Sequence, residues 1–263
     1  MLCLVLIHPL RQASFAINAT PLLSMTPFED QPLHAVAPHI DPAIAELAPG
    51  FRALSLSVEA AGITRPDIAA EALRDACHAL ANAQPAWAGA HLAAWADMYR
   101  KFGAKPQRTP CSAAALRQRV LRDGTLPSID PVVDLYNAIS IRYAIPVGGE
   151  NLAAYAGVPR LVIAHGAERF DTVKDGQAAH ESPEPGEVVW RDDLGVTCRR
   201  WNWRQGVRTR LDAGAQRMWF ILESLPAMPL PALHEAGQQL AHGLHLMMPG
   251  AAIHTRLIGL GLE

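Results

Sequence analysis

The segment from Leu126 to Leu152, LPSIDPVVDLYNAISIRYAIPVGGENL, constrains this chain most, because it sets a proline-led helix start, an amphipathic run and a glycine pair in one order. Asp130 precedes Pro131, so its carboxylate can accept from the first free backbone N–H groups, while the proline sits where its missing donor costs nothing. A helix is therefore predicted to begin at Pro131. Val132, Val133, Tyr136 and Ile139 recur at helical spacing toward a core, whereas Asp134 and Asn137, three apart, are expected to meet on another face. Pro146 closes the element, and Gly148 and Gly149 then let the backbone pass close to a neighbour with no side chain in the way.

This order of residues resembles a segment of the phenylalanyl-tRNA synthetase beta chain, in its B3/B4 tRNA-binding domain. There a proline, Val-Val-Asp, two residues, Asn and a Pro-x-His pair line the editing pocket. Pro131, Val132, Val133, Asp134, Asn137 and Pro146 match that pattern, and the family histidine falls opposite Gly148. Free-standing relatives of the domain resemble the chain further, in the stretch from Tyr99 to Pro106 and in the Cys-Arg-Arg-Trp-Asn-Trp-Arg stretch from Cys198 to Arg204. The resemblance runs from Trp95 to Glu223.

At 263 residues the chain has enough apolar side chains to bury a core without staples. We expect one domain over residues 26–263, preceded by a disordered tail or misassigned start over 1–25, since Met25 opens a second plausible beginning. The first ten residues are apolar but too few to span a membrane, and Arg11 follows them instead of preceding them as in a secretory signal. The four cysteines have no Cys-x-x-Cys spacing, which favours reduced thiols in a cytoplasmic protein over a disulfide frame or a zinc site. A net charge of −2 means that any contact with nucleic acid must come from a local patch.

Periodicity predicts a short helix at Pro42–Leu47, a first strand over Phe51–Glu59, and helices over Pro66–Asn82 (capped by Thr64) and Ala86–Phe102. Trp87, Leu92, Trp95 and Met98 of the latter are read as core. A third helix is capped by Ser112. PRLVIAH, 159–165, reads as a buried strand, Phe170–Pro185 as a loop, and Glu187–Arg191 with Val196–Trp203 as a hairpin turning at Asp192–Gly195. QRMWFILES, 216–224, has the continuous apolar character of a central strand. A helix over Pro231–Met247 and a strand over Ile253–Leu257 complete the chain; His234, His242 and His245 lack a third ligand at a diagnostic spacing, so no metal is expected.

Two stretches concentrate cations. Arg100, Lys101, Lys105 and Arg108 precede a helix with Arg117, Arg119 and Arg122, which is either a phosphate-contacting patch or a solvated face balanced elsewhere. In Cys198–Arg204, strand alternation would put Arg200, Asn202 and Arg204 on one face and Arg199 with Trp201 and Trp203 on the other. That arrangement would suit a ribose-phosphate end and a stacked base; equally, the tryptophans fill the core and the arginines pair with Asp192, Asp193 or Glu187.

Alternating helices and short strands give a mixed α/β class. The resemblance implies more: a layered β-β-α sandwich, a pocket beside Asp134–Gly149, and hydrolysis of the ester linking a wrong amino acid to tRNA. On it, Asn137, Gly148, Gly149 and Glu223 form the catalytic set, with Glu223 reading the acyl side chain, and Lys101, Lys105, Arg119, Arg200, Asn202 and Arg204 hold the tRNA. The expected partner is tRNA or aminoacyl-tRNA, not DNA or a membrane, and no cofactor is called for. Two other readings stay open: a module that binds RNA or an amino acid without turnover, and a small-molecule enzyme reusing the pocket.

Overall fold

Residues 36–212 and 214–259 are described by the computed structural model; the segment 1–25 lies outside them. Two eight-residue strands, β2 (Arg52–Glu59) and β10 (Arg217–Ser224), organise the fold. They pair antiparallel along their whole length, and β11 (Ala252–Gly259) and β3 (Val147–Asn151) flank them in the order β11-β2-β10-β3. Alternation gives this sheet two different faces. Leu54, Leu56, Val58, Met218, Phe220 and Leu222 enter a core beneath the helices, together with Val132, Leu135 and Ile139 of α5 (Pro131–Tyr143) and Leu233, Leu240 and Leu244 of α6 (Leu230–Met247). Ala53, Trp219 and Ile221 enter a second core on the opposite side. Each large side chain so buried contributes about 1.5–3 kcal/mol.

The second core is closed by another sheet. Its strands run in the order β1 (His39–Ile40), β4 (Arg160–Ile163), β7 (Val188–Arg191), β8 (Val196–Arg199), β5 (Phe170–Lys174), β6 (Gln177–Glu181), and β9 (Arg204–Gln205) also pairs with β8. Leu161, Val188 and Trp190 point inward to the second core, whereas Phe170, Val189 and Val196 form a small cluster outside it. Trp95, Met98 and Tyr99 of α3 (Ala88–Lys101) pack into the same core. The architecture is the expected mixed α/β sandwich, a helical layer over two sheets.

Local chemistry explains most boundaries. Asp41 caps α1 (Pro42–Leu47) through the N–H of Ala43, and Asp130 caps α5 through that of Val132, both at 2.9 Å with proline in the first turn. Two expected caps are not made. In α2 (Asp67–Asn82) the cap position is Pro66, which has no side-chain oxygen to offer, and Thr64 stands two residues before it with its backbone N–H bound to the Met247 carbonyl. In α4 (Ser112–Asp123) Cys111 holds the cap position and Ser112 is the first helical residue.

The expected loop over Phe170–Pro185 contains a hairpin, β5 with β6. Asp175 and Gly176 at its tip have φ of 51° and 78°, the conformation of a primed turn, in which Asp-Gly is favoured. No helix among the described residues is long and apolar enough to cross a membrane.

Candidate functional site

Glu223 lies near the end of β10, on the face turned to the second core, and is 1% exposed. Three donors converge on its carboxylate. Trp190 Nε1 and Trp201 Nε1 donate to Oε1 at 3.0 and 2.8 Å, and Asn202 Nδ2 donates to Oε2 at 2.9 Å. The Tyr99 hydroxyl donates to Asn202 Oδ1 at 2.8 Å and so fixes which way that amide faces. Burial pushes the Glu223 pKa up to about 7, against the three donors, which favour the anion.

A second buried carboxylate shares this face. Glu150 on β3 lies opposite Trp219, accepts a hydrogen bond from the Tyr155 hydroxyl, and is also pushed up to about 7 by burial. Asp192 beyond it is a different case: Arg208 binds both its oxygens at 2.7 and 2.9 Å, and the N–H groups of Ala156, Leu194 and Gly195 complete its shell. It is a fully paired structural anion.

The stretch Arg200–Trp203 is a turn between β8 and β9 and not a continuation of the strand, so the expected alternation fails there. Arg200 and Trp201 have φ of 48° and 65°, left-handed conformations that a bulky side chain seldom adopts. The turn drives Trp201 into the core against Phe51 and Trp95, where its indole reaches Glu223. Arg199 is buried and bound to Glu187 by Nε and Nη2, and reaches Glu181 as well. Arg204 joins Glu181 and Thr172. Pairing to Glu187, one of the three carboxylates expected for the arginines, thus holds for Arg199. Arg200 instead lies 4.4 Å from the centroid of the half-buried Trp203 ring, a cation–π stack, with Glu187 at 3.8 Å.

Asp134 and Asn137 do not meet. Asp134 turns back to accept from Ser128 and from the Ile129 N–H at 2.9 Å, bracing the loop that enters α5. Asn137 is half-buried, one residue after Tyr136, whose ring lies against β3 at Gly149. A side chain at Gly149 would come within 2.9 Å of Leu211 and Tyr136 and 3.1 Å of Phe220; one at Gly148 would touch Ile221 alone, at 3.2 Å. The Gly149 carbonyl accepts from Gln205 at 2.7 Å. Gly148 shares its face with Ile221 and Glu223, so Gly148, Asn202 and Glu223 are drawn to one layer, whereas Asn137 is carried by α5, whose apolar side packs on the opposite face of the sheet, and no hydrogen bond among the described residues joins it to them.

Of the cationic stretch, Arg100 pairs with Asp97, Arg119 and Arg122 with Asp123, and Arg117 is buried. Lys101, Lys105 and Arg108 are exposed and have no carboxylate partner among the described residues. Their loop touches the 200–203 turn: the Ser112 N–H donates to the Asn202 carbonyl at 3.2 Å, and Phe102 packs on Trp201 at 6.5 Å between ring centroids. Among the described residues no group of three or more His, Cys, Asp or Glu side chains is placed to hold a metal ion.

Tyr99, Trp190, Glu150 and Tyr155 were not anticipated as parts of a polar cluster. Alternation within β7 could have placed Trp190 inward, but Glu150 follows two glycines in a strand with no readable pattern.

A layered sandwich with an acidic polar cluster sealed between its sheets, closed by an arginine- and tryptophan-bearing turn, defines the class of domain. The family follows from the sequence: the model of the B3/4 domain matches residues 94–229, more than half of the chain, and the chain belongs to that family. It is the family of the synthetase beta-chain domain named above. No curated protein matches the chain.

Proposed function

We propose that this chain binds the aminoacylated end of a tRNA where the α3–α4 loop meets the 200–203 turn, and that it is an editing-type hydrolase of the ester. The observation that carries the reading is the contact of Ser112 with Asn202, which joins the loop that bears Lys101, Lys105 and Arg108 to the turn that bears the Arg200–Trp203 stack. Unpaired cations next to an aromatic face suit phosphates and a terminal base. Glu223 then acts as a positioning residue, holding Trp201 and Asn202 so that the turn keeps its strained shape. Arg119 and Arg204, ion-paired already, contribute less.

The ester is activated, so the site needs no strong nucleophile. Water adds to the acyl carbon, the bond to the ribose oxygen breaks, and that oxygen leaves with the proton. Asn137 and the Gly148–Gly149 backbone are the donors in this reading for the developing oxyanion. On this reading the reaction belongs to translation and the protein works in the cytoplasm.

A second reading is a module that binds without turnover, favoured by the closure of Glu223 behind two indoles. The purified protein is incubated with a panel of mischarged tRNAs and with the free aminoacyl esters. Hydrolysis that needs the tRNA and falls in Asn137→Ala with folding retained supports the hydrolase. Saturable binding with no turnover supports the module, and neither binding nor turnover defeats both.

A further inference from the structure

Between α3 and α4 lies a cavity of about 330 Å³ whose charged lining residue the tRNA reading does not use. Its walls are mostly apolar, with Leu92, Pro106, Ala114 and Leu121 among them, and its only charged lining residue is Arg117. Arg117 is 3% exposed. Its guanidinium donates to two neutral oxygens, the Ile141 carbonyl in the last turn of α5 and Gln84 Oε1, and no carboxylate among the described residues pairs with it. Desolvation lowers its pKa, with no opposing anion. The end of α5 supplies about half an elementary negative charge, so a net positive field remains in the cavity. Buried charges are otherwise paired, because an unpaired one is costly.

We infer that this cavity binds a small organic monocarboxylate with an apolar body, its carboxylate facing Arg117. The volume lies at the small end of the range for ligand pockets, and the apolar walls match the rest of such a molecule. No carboxylate in the lining would hold an ammonium group, which selects a simple acid over an amino acid. The cavity borders the α3–α4 loop through Pro106, Pro110 and Cys111, but its charge, Arg117, is not one of the cations assigned to tRNA.

The probe is 4-fluorophenylacetate, followed by fluorine NMR on the full-length protein, with 4-fluorophenylacetamide as its uncharged isostere. The acid should bind saturably and the amide about tenfold more weakly or worse, the expected loss for a charge-assisted bond. Ala93→Trp, an exposed lining position, should block the acid without touching Arg117. Arg117→Met should abolish the preference for acid over amide; if that variant does not fold, Ala93→Trp decides. No binding of the acid, equal binding of acid and amide, or binding unchanged in Ala93→Trp would overturn the inference.

Discussion

Trp201 donates its indole N–H to Glu223 at 2.8 Å while its own backbone stands at a φ of 65°. The two facts are linked: left-handed geometry at Arg200 and Trp201 costs about 1–3 kcal/mol each, and persists only where the surroundings over-determine it. Here they are the burial of the Trp201 ring among Phe51, Trp95 and Phe102, and the shared carboxylate that also receives Trp190 and Asn202.

Truncating Glu223 should therefore loosen the turn as well as the core. Glu223→Ala leaves two indoles and an amide without their acceptor, a loss of about 4 kcal/mol when unsatisfied donors cost about 1–3 kcal/mol each. Glu223→Gln keeps one acceptor oxygen and should cost about 1 kcal/mol. Urea unfolding of both variants measures the difference; equal stability would mean that the carboxylate does not anchor the turn.

Stability should fall as pH rises toward neutrality. Glu223 and Glu150 are both raised from 4.5 to about 7 by burial, so between these values the folded state holds protons that the unfolded state has released. Their contribution is full below 4.5 and lost as pH passes 7. His91 opposes them. Its Nε2 accepts from Trp95 Nε1 and the Leu225 N–H, both at 3.1 Å, so the proton is on Nδ1 and goes to the Ala144 carbonyl. Burial depresses it from 6.5 to about 4, so its stabilisation is present above 6.5 and lost on acidification. Urea midpoints from pH 5 to 8 should decline with pH, less steeply in Glu150→Gln. A rising midpoint would contradict the assigned burial.

The same physics separates what could be read in the sequence from what could not. Helix α5 was legible because its start is local: Asp130 and Pro131 act within four residues. The β5–β6 hairpin was missed because its second strand, QAAHE, lies half in solvent and has no apolar alternation, although Asp175-Gly176 carried the turn. The 200–203 turn was missed because neither arginine nor tryptophan favours positive φ; what holds it comes from β7 and β10, far away in sequence. In the site, the resemblance assigns Asn202 to the tRNA and Glu223 to the acyl group, and their direct bond is not legible in either the resemblance or the local pattern. Asp134 was assigned to Asn137 on helical spacing, and the loop before the helix won it instead.

The glycine pair offers a test of packing against function. Gly149→Ala would press on Leu211, Tyr136 and Phe220 at about 3 Å and should cost about 1–3 kcal/mol as overpacking. Gly148→Ala meets only Ile221 Cγ2 at 3.2 Å, and a small shift relieves it. Its thermal midpoint should stay close to that of the parent chain. The variant keeps the backbone N–H and adds only a methyl, so if the acyl group lies against Gly148 hydrolysis falls at unchanged stability, and unchanged hydrolysis would place the acyl group away from that position.

The cationic loop should be visible in the salt dependence of tRNA binding before it is visible in affinity at any one salt concentration. Each cation that neutralises a phosphate of a single-stranded end releases condensed counterions and adds about 0.7 to the slope of log K against log salt. Replacing Lys101, Lys105 and Arg108 together by alanine removes three exposed side chains that have no carboxylate partner among the described residues, so folding should be untouched. The slope should then drop by about 2. Arg204→Ala, which breaks an ion pair to Glu181, should change it by much less, because that charge is already compensated. Binding titrations between low and moderate salt give both slopes, and a triple variant with the parent slope would move the RNA contact away from the α3–α4 loop.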